Sequence, residues 1–221
     1  MKTEAEPAPS RAADQHPTLL WLIRHAEVQE SYQNVFGGRI DMSLSARGER
    51  QALALASYLK GKHFAALYAS PMRRVRQTLE PLVNNGVPPP QFLEGLREVD
   101  FGSWTGLSWE EVHRQHGVSP YEWLDQLDCG GIRGAERAAD FRARVAPCLR
   151  DILDRHPGQP VAVACHGGVI RMMLSILLDL PLPLLGNVQV EYASITLVSW
   201  TPGRVWLELL NFTPWRDLPV V

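Results

Sequence analysis

The sequence predicts an α/β fold, a three-layer α/β/α sandwich around a mostly parallel central sheet. Apolar runs of strand length alternate with longer segments of helical period, the pattern of strands joined by crossover helices. Two of the runs, Leu19-Leu20-Trp21-Leu22-Ile23 and Val161-Ala162-Val163-Ala164-Cys165, are apolar throughout, as strands covered on both faces are. Both runs end abruptly at a histidine, Arg24-His25 in the first and His166-Gly167-Gly168 in the second. In a parallel sheet these positions fall at the carboxyl edge, where open sheets bind ligands. The expectation is a single active site containing both histidines.

The elements follow in order. After the first strand, Ser45 is an N-cap for a helix over Ala46 to Leu59, with Leu53, Ala56 and Leu59 on its apolar face. Phe64 to Ala69 reads as a strand ending at Ser70-Pro71, and Pro71 suits the first turn of a helix carrying Arg73, Arg74, Arg76 and Gln77-Thr78. Asn84-Asn85-Gly86 and Pro88-Pro89-Pro90 break the chain before a third edge segment, Phe92 to Glu98. Ser108 and Glu111 have capping-box spacing for a short helix to His116. Gly130 to Gly134 reads as loop, and Ala135 to His156 as a long helix burying Phe141, Val145, Leu149, Ile152 and Leu153 until Pro157-Gly158 stops it. The second histidine strand leads into a helix over Val169 to Leu178. Ile195 to Trp200 and Val205 to Leu209 then form a hairpin around Pro202-Gly203.

Composition narrows the function classes. A chain of 221 residues fits one domain, and a formal net charge of -2 argues against binding nucleic acid or a membrane surface through bulk charge. Any anion site must be local. No apolar stretch approaches a membrane span. Residues 1–17, with Pro7, Pro9 and Pro17 among small polar neighbours, lack a hydrophobic signal core and are expected to be a disordered leader to a single domain over 18–221. Cys129, Cys148 and Cys165 are odd in number and lack Cys-x-x-Cys spacing, which fits a cytoplasmic, reducing location and speaks against a thiolate metal site.

The paired histidines point to phosphoryl chemistry. Imidazole titrates near neutral pH, so one ring can attack while a neighbouring ring or guanidinium holds the anion. Arg24 supplies one permanent cation and the arginine-rich helix after Ser70 supplies more. Fixed guanidiniums stabilise charge developing on phosphoryl oxygens. Each residue also has a plainer reading. A lone histidine after a strand is commonly structural, Glu98 between Arg97 and Asp100 could be a solvated loop charge, and Arg73 and Arg76 read as surface cations. Trp104 and Trp109 are assigned to core.

Five segments, in order, resemble one family. They are Arg24-His25-Ala26-Glu27; Gly38-Arg39-Ile40-Asp41-Met42-Ser43-Leu44-Ser45 with Gly48 and Gln51-Ala52; Ser70-Pro71-Met72-Arg73-Arg74-Val75-Arg76-Gln77-Thr78; Arg97-Glu98-Val99-Asp100-Phe101-Gly102-Ser103-Trp104-Thr105-Gly106; and His166-Gly167-Gly168-Val169-Ile170-Arg171. Together they resemble the histidine phosphatase superfamily, also called phosphoglycerate mutase-like, over most of residues 19–211. The resemblance implies the phosphoglycerate mutase-like fold and a metal-independent phosphomonoesterase of histidine acid phosphatase type, with no cofactor. It implies His25 as a nucleophile that becomes phosphohistidine, with Arg24, Arg74 and His166 gripping the phosphoryl group. Glu98 is implied as proton donor to the leaving oxygen and then as base toward water, with the N–H of Gly167 as a further anion donor. Gly38 and Ser31 fall at positions expected to contact substrate. Two positions depart from the family pattern: Ala26 replaces a glycine, and Ser31 replaces an asparagine, which bears on substrate preference more than on chemistry.

Three rivals remain at this level. Cys165 and Arg171 satisfy Cys-x5-Arg, the signature of thiolate phosphatases, although that mechanism leaves Arg24, His25, Arg74 and Glu98 without roles. A mutase that returns the phosphoryl group to substrate is the second, and a non-catalytic phosphoester binder is the third. The expected partner is a small phosphate ester; nucleic acid and membrane are not expected, and a homodimer is left open.

Overall fold

The computed structural model describes residues 16–83 and 86–218. Most of the expected leader, residues 1–15, and the Asn84-Asn85 part of the expected break therefore lie outside the described residues. Six strands, β1 (Thr18–Arg24), β2 (Ala66–Ala69), β3 (Pro90–Phe92), β4 (Pro160–Cys165), β5 (Ile195–Thr201) and β6 (Arg204–Phe212), form one sheet in the order β3-β2-β4-β1-β5-β6. The first four in that order run parallel, and β5 and β6 are antiparallel additions. The sheet is thus mostly parallel, and β5–β6 is the hairpin read from the sequence.

Strand alternation distributes the core to two faces. Leu20 and Leu22 of β1 and Val161, Val163 and Cys165 of β4 face one layer. That layer contains α5 (Ala138–Arg155) and α6 (Gly167–Leu178), with Phe141, Val145, Leu149 and Ile152 inserted from α5. Ile23, Ala162 and Ala164 face the other, against Leu55 and Leu59 of α1 (Ala46–Leu59) and Val75, Leu79 and Leu82 of α2 (Arg73–Val83). The predicted three-layer α/β/α sandwich is the observed architecture. Truncating the fully buried Phe141 to alanine would cost about 3–5 kcal/mol, by lost transfer energy and the cavity left behind.

Several local expectations need correction. Helix α1 has its expected bounds, and the Ser45 hydroxyl caps it by accepting the Gly48 N–H, but Leu53 is 59% exposed. Ala56 and Leu59 are buried as expected, joined on that face by Ala52 and Leu55 in the 3.6-residue repeat. The third edge strand is only Pro90–Phe92, because a 3-10 turn at Glu94–Leu96 sends Leu96 into the core and leaves Glu98 in a loop. Helix α5 begins three residues later than expected, at Ala138, and α6 begins two residues earlier, at Gly167. The capping box of α3 (Trp109–His116) is present on both sides. Trp104 is core as expected; Trp109, at 37% exposure, is not, and packs edge-on to Tyr121 at the surface. The sequence reading missed α4 (Trp123–Cys129) and a 3-10 segment at Leu182–Asn187. A final short turn, α7 (Pro214–Asp217), closes the described chain.

Candidate active site

Three neighbouring parallel strands deliver side chains to the same edge. Strand β2 is followed by Ser70, β4 by His166 and β1 by His25. The β1–β4 register sets Arg24 opposite Cys165, and the His25 N–H then donates to the Cys165 carbonyl at 3.0 Å. From the other side the His25 carbonyl accepts the Ala193 N–H at 3.1 Å. The ring centroids of His25 and His166 are 5.2 Å apart. The structure therefore brings the two histidines together, as their positions after parallel strands predict.

The hydrogen bonds fix the tautomers. Nδ1 of His25 lies 2.8 Å from the Ala26 carbonyl, which can only accept, so Nδ1 carries the proton. Nε2 of His25 is left with its lone pair and accepts from Arg74 Nε–H at 3.2 Å. The same N–H reaches Nδ1 of His166 at 3.2 Å. The neutral His166 ring then has its proton on Nε2, donated to the Ser70 hydroxyl at 2.8 Å. Both imidazoles are held well below their ordinary pKa, chiefly by burial and secondarily by the Arg74 charge. They are neutral at pH 7.

Arg74, 2% exposed, is the hub. Its Nη1 donates to the Ile40 carbonyl and its Nη2 to the Gly38 carbonyl, both at 2.9 Å. Gly38 has a left-handed φ of +46°, and an added Cβ would meet the Val99 carbonyl oxygen at 3.0 Å. Gly38 thus serves the site through its carbonyl, which orients the guanidinium. Thr78 holds the same helix to the loop after His25, donating to the Arg74 carbonyl at 2.7 Å and accepting the Ala26 N–H at 2.9 Å. Gly48 lets the start of α1 press against Glu27, where an added Cβ would collide with the Glu27 backbone. These contacts give physical content to the second and third sequence segments.

Two further guanidiniums flank Gly167, where an added Cβ would meet Arg171 Nη1 at 3.2 Å and Arg24 Nε at 3.5 Å. Arg24 lies over the Tyr192 ring at 4.0 Å and donates through Nη1 to the Val190 carbonyl. Its Nε is buried with no hydrogen-bond partner among the described residues. Arg171 donates to the carbonyls of Leu185 at 3.1 Å, Gly167 at 3.2 Å and Val188 at 2.8 Å. Burial lowers Arg171 and Arg74 alike to about 10, with the charge of Arg24 adding to the effect, so both remain cationic at neutral pH. Gly167 opens α6, so its N–H belongs to the first turn, whose donors have no intrahelical acceptor. Glu98 sits at that same helix start, one oxygen accepting the Gly168 N–H at 3.1 Å and the other its neighbour Val99 N–H at 3.0 Å.

Arg24, His25, Arg74, Glu98, His166 and Gly167 therefore converge. Ser31 does not join them: it is exposed on a 3-10 turn, Glu30–Tyr32. Arg73 and Arg76 are surface cations as read, Arg76 lying over the Phe92 ring. Sequence reasoning assigned no role to Ser70, Thr78 or Tyr192. The first two lay inside a recognised segment, whereas Tyr192 carried no signal.

The thiolate rival fails on geometry. Cys165 is fully buried with its side chain in the core beneath the α5–α6 layer, and burial pushes its thiol far above the ordinary value. Arg171, its supposed anion partner, is occupied by three backbone carbonyls. Among the described residues no group of three or more His, Cys, Asp or Glu side chains is placed to hold a metal ion, and no helix is long and apolar enough to cross a membrane.

Comparison with known proteins agrees with this geometry. Phosphoserine phosphatase 1 of Hydrogenobacter thermophilus is 28% identical over 194 residues, covering 88% of this chain and 92% of that protein. Adenosylcobalamin/alpha-ribazole phosphatase of Escherichia coli is 23% identical over 192 residues, covering 87% and 95%. The solved structure of mycobacterial glucosyl-3-phosphoglycerate phosphatase superposes with a TM-score of 0.78 at 25% identity, covering 89% of this chain and 99% of that one. The family profile described as histidine phosphatase superfamily (branch 1) matches residues 20–213. The chain belongs to the histidine phosphatase superfamily and has its phosphoglycerate mutase-like fold.

Proposed function

We propose that this protein is a metal-independent phosphomonoesterase that hydrolyses small phosphorylated metabolites through a phosphohistidine on His25. The observation that carries the reading is the His25 tautomer. Nδ1–H is tied to the Ala26 carbonyl, and the Nε2 lone pair faces the Arg74 guanidinium. A neutral, buried imidazole beside fixed cations is a nucleophile that needs no prior deprotonation.

In the first step Nε2 bonds to phosphorus and the phosphorus–oxygen ester bond breaks. Glu98 gives its proton to the departing alkoxide. In the second step a water oxygen attacks phosphorus while Glu98, now a carboxylate, takes the water proton. The phosphorus–nitrogen bond breaks, inorganic phosphate leaves, and His25 and Glu98 return to their starting states. Arg24, Arg74, His166 and the Gly167 N–H hold the phosphoryl oxygens. A phosphoryl oxygen would also satisfy Arg24 Nε, a buried donor with no partner among the described residues.

Relatives named as phosphatases of phosphoserine, α-ribazole phosphate and glucosyl-3-phosphoglycerate support hydrolysis of small phosphomonoesters over a mutase reaction. The histidine acid phosphatase subtype and a cytoplasmic location belong to this reading. The test is p-nitrophenyl phosphate hydrolysis in excess EDTA by wild type and His25→Ala. Turnover by the wild type alone is the expected result; equal rates in both proteins would overturn the proposal.

A further inference from the structure

Glu98 has no regular secondary structure to fix it, since it lies in a loop between the 3-10 turns Glu94–Leu96 and Gly102–Trp104. Proton transfer nevertheless requires its carboxylate to be held to a fraction of an ångström. Its side chain is anchored on one side, by the Gly168 and Val99 amides. The opposite anchor is a pair of charged residues outside the convergent cluster.

Arg144, on α5, divides its guanidinium between this loop and Glu136. Nη1 donates to the carbonyls of Gly95 at 2.8 Å and Arg97 at 2.6 Å, and Nη2 donates to the carbonyl of Glu98 itself at 3.2 Å. The remaining edge forms a two-point fork with Glu136, Nε to Oε1 at 2.6 Å and Nη2 to Oε2 at 2.8 Å. The Glu136 side chain is 9% exposed and that of Arg144 20%, so water competes weakly for these bonds. Glu136 closes the far end of the loop, its N–H donating to the Asp100 carbonyl at 3.0 Å and its carboxylate accepting the Asp100 N–H at 3.4 Å. At the near end Gly95 lies so close to α5 that an added Cβ would sit 2.7 Å from the Arg144 carbonyl oxygen. Arg39, 3.7 Å from Glu136 and 4.0 Å from Asp100, adds a cation from the solvent side.

We propose that the Arg144–Glu136 pair is the positioning device for the proton-transferring carboxylate, clamping the backbone of residues 95–100 so that Glu98 stands at the start of α6. The inference rests on the phosphatase reading above. A lysine cannot replace the clamp, because an ammonium lacks the planar fork that engages Glu136 and three carbonyls together.

The test separates positioning from general stability by leaving group. p-Nitrophenolate departs without a proton, whereas an alkyl alkoxide such as that of glycerol phosphate needs one. The quantity to compare is kcat/KM, which includes only steps up to formation of the phosphoenzyme. Arg144→Met is expected to lower kcat/KM about 30-fold for glycerol phosphate and less than about threefold for p-nitrophenyl phosphate, inside the range that general-acid catalysis contributes. Arg144→Lys should restore little of the alkyl-ester loss. Glu136→Gln retains Arg144 and serves as the test if Arg144→Met does not fold; it should show the same discrimination at smaller size. Equal slowing of both esters in a folded variant, or no slowing, would overturn the inference while leaving the phosphatase reading intact. A wild type inactive on both esters would remove that reading and the inference with it.

Discussion

The carboxyl ends of β1 and β4 are adjacent, parallel and in register, and each delivers a buried, neutral histidine, yet the two rings are committed differently. His25 donates Nδ1–H to the Ala26 carbonyl and turns its Nε2 lone pair to the Arg74 Nε–H. His166 is turned the other way, its Nδ1 lone pair accepting from the same Arg74 N–H and its Nε2–H donated to Ser70. Equivalent positions in the sheet therefore become unequal through one local contact each. The proposed division of labour has His25 attacking through Nε2 and His166, whose Nε2–H is committed to Ser70, holding.

Breaking that asymmetry orders the expected effects. His25→Ala should cost about 10,000-fold or more in kcat on p-nitrophenyl phosphate, since no second group stands in for the nucleophile. His166→Asn should cost about 100- to 1,000-fold, the scale of removing one preorganised donor from the anion pocket, while still accumulating phosphoenzyme in single-turnover experiments. Ser70→Ala acts one step further out, freeing the His166 Nε2–H in a buried site. About a tenfold loss in kcat is expected, with about 1–3 kcal/mol of stability lost in urea unfolding.

The shared property of the two rings has its own consequence. Both have folded-state pKa values well below the unfolded 6.5, so between those values the unfolded chain binds more protons. Stability is fully present above pH 6.5 and is lost as pH falls below it toward the folded values. Urea midpoints across that window should decline with acidification, and more shallowly in His25→Ala. The smallest effect is reserved for Cys165, whose thiol faces core and not phosphate. Cys165→Ala should keep p-nitrophenyl phosphate turnover within about threefold of wild type and cost about 1 kcal/mol of stability. A large loss of turnover would break the distinction between the β4 cysteine and the β1 histidine.

The same two strand ends explain what was legible in the sequence. Uninterrupted apolar runs ending in Arg24-His25 and in His166-Gly167-Gly168 fixed strand, sheet edge and convergence, because parallel strands leave little freedom in where their ends lie. Helix α1 was legible through its Ser45 cap, although its buried face was misread at Leu53. Glu98 was legible only as part of a segment; the loop's support, Arg144 on the Glu98 carbonyl and Glu136 on the Asp100 N–H, spans 46 and 36 positions, which no local pattern records. The third edge strand was placed too far along, over Phe92 to Glu98, for a related reason: the chain turns inward at Gly95 to meet α5, a tertiary contact that overrides strand propensity. Tyr192, lying over Arg24, follows no motif at all.

The central claim concerns one nitrogen. Wild-type protein mixed with excess substrate, quenched in alkali to preserve phosphoramidate and then mapped by phosphorus NMR and peptide mass analysis, should carry phosphate on Nε2 of His25. Phosphate on His166, on Nδ1 of His25 or on Cys165 would contradict the account, as would turnover with no phosphoenzyme formed.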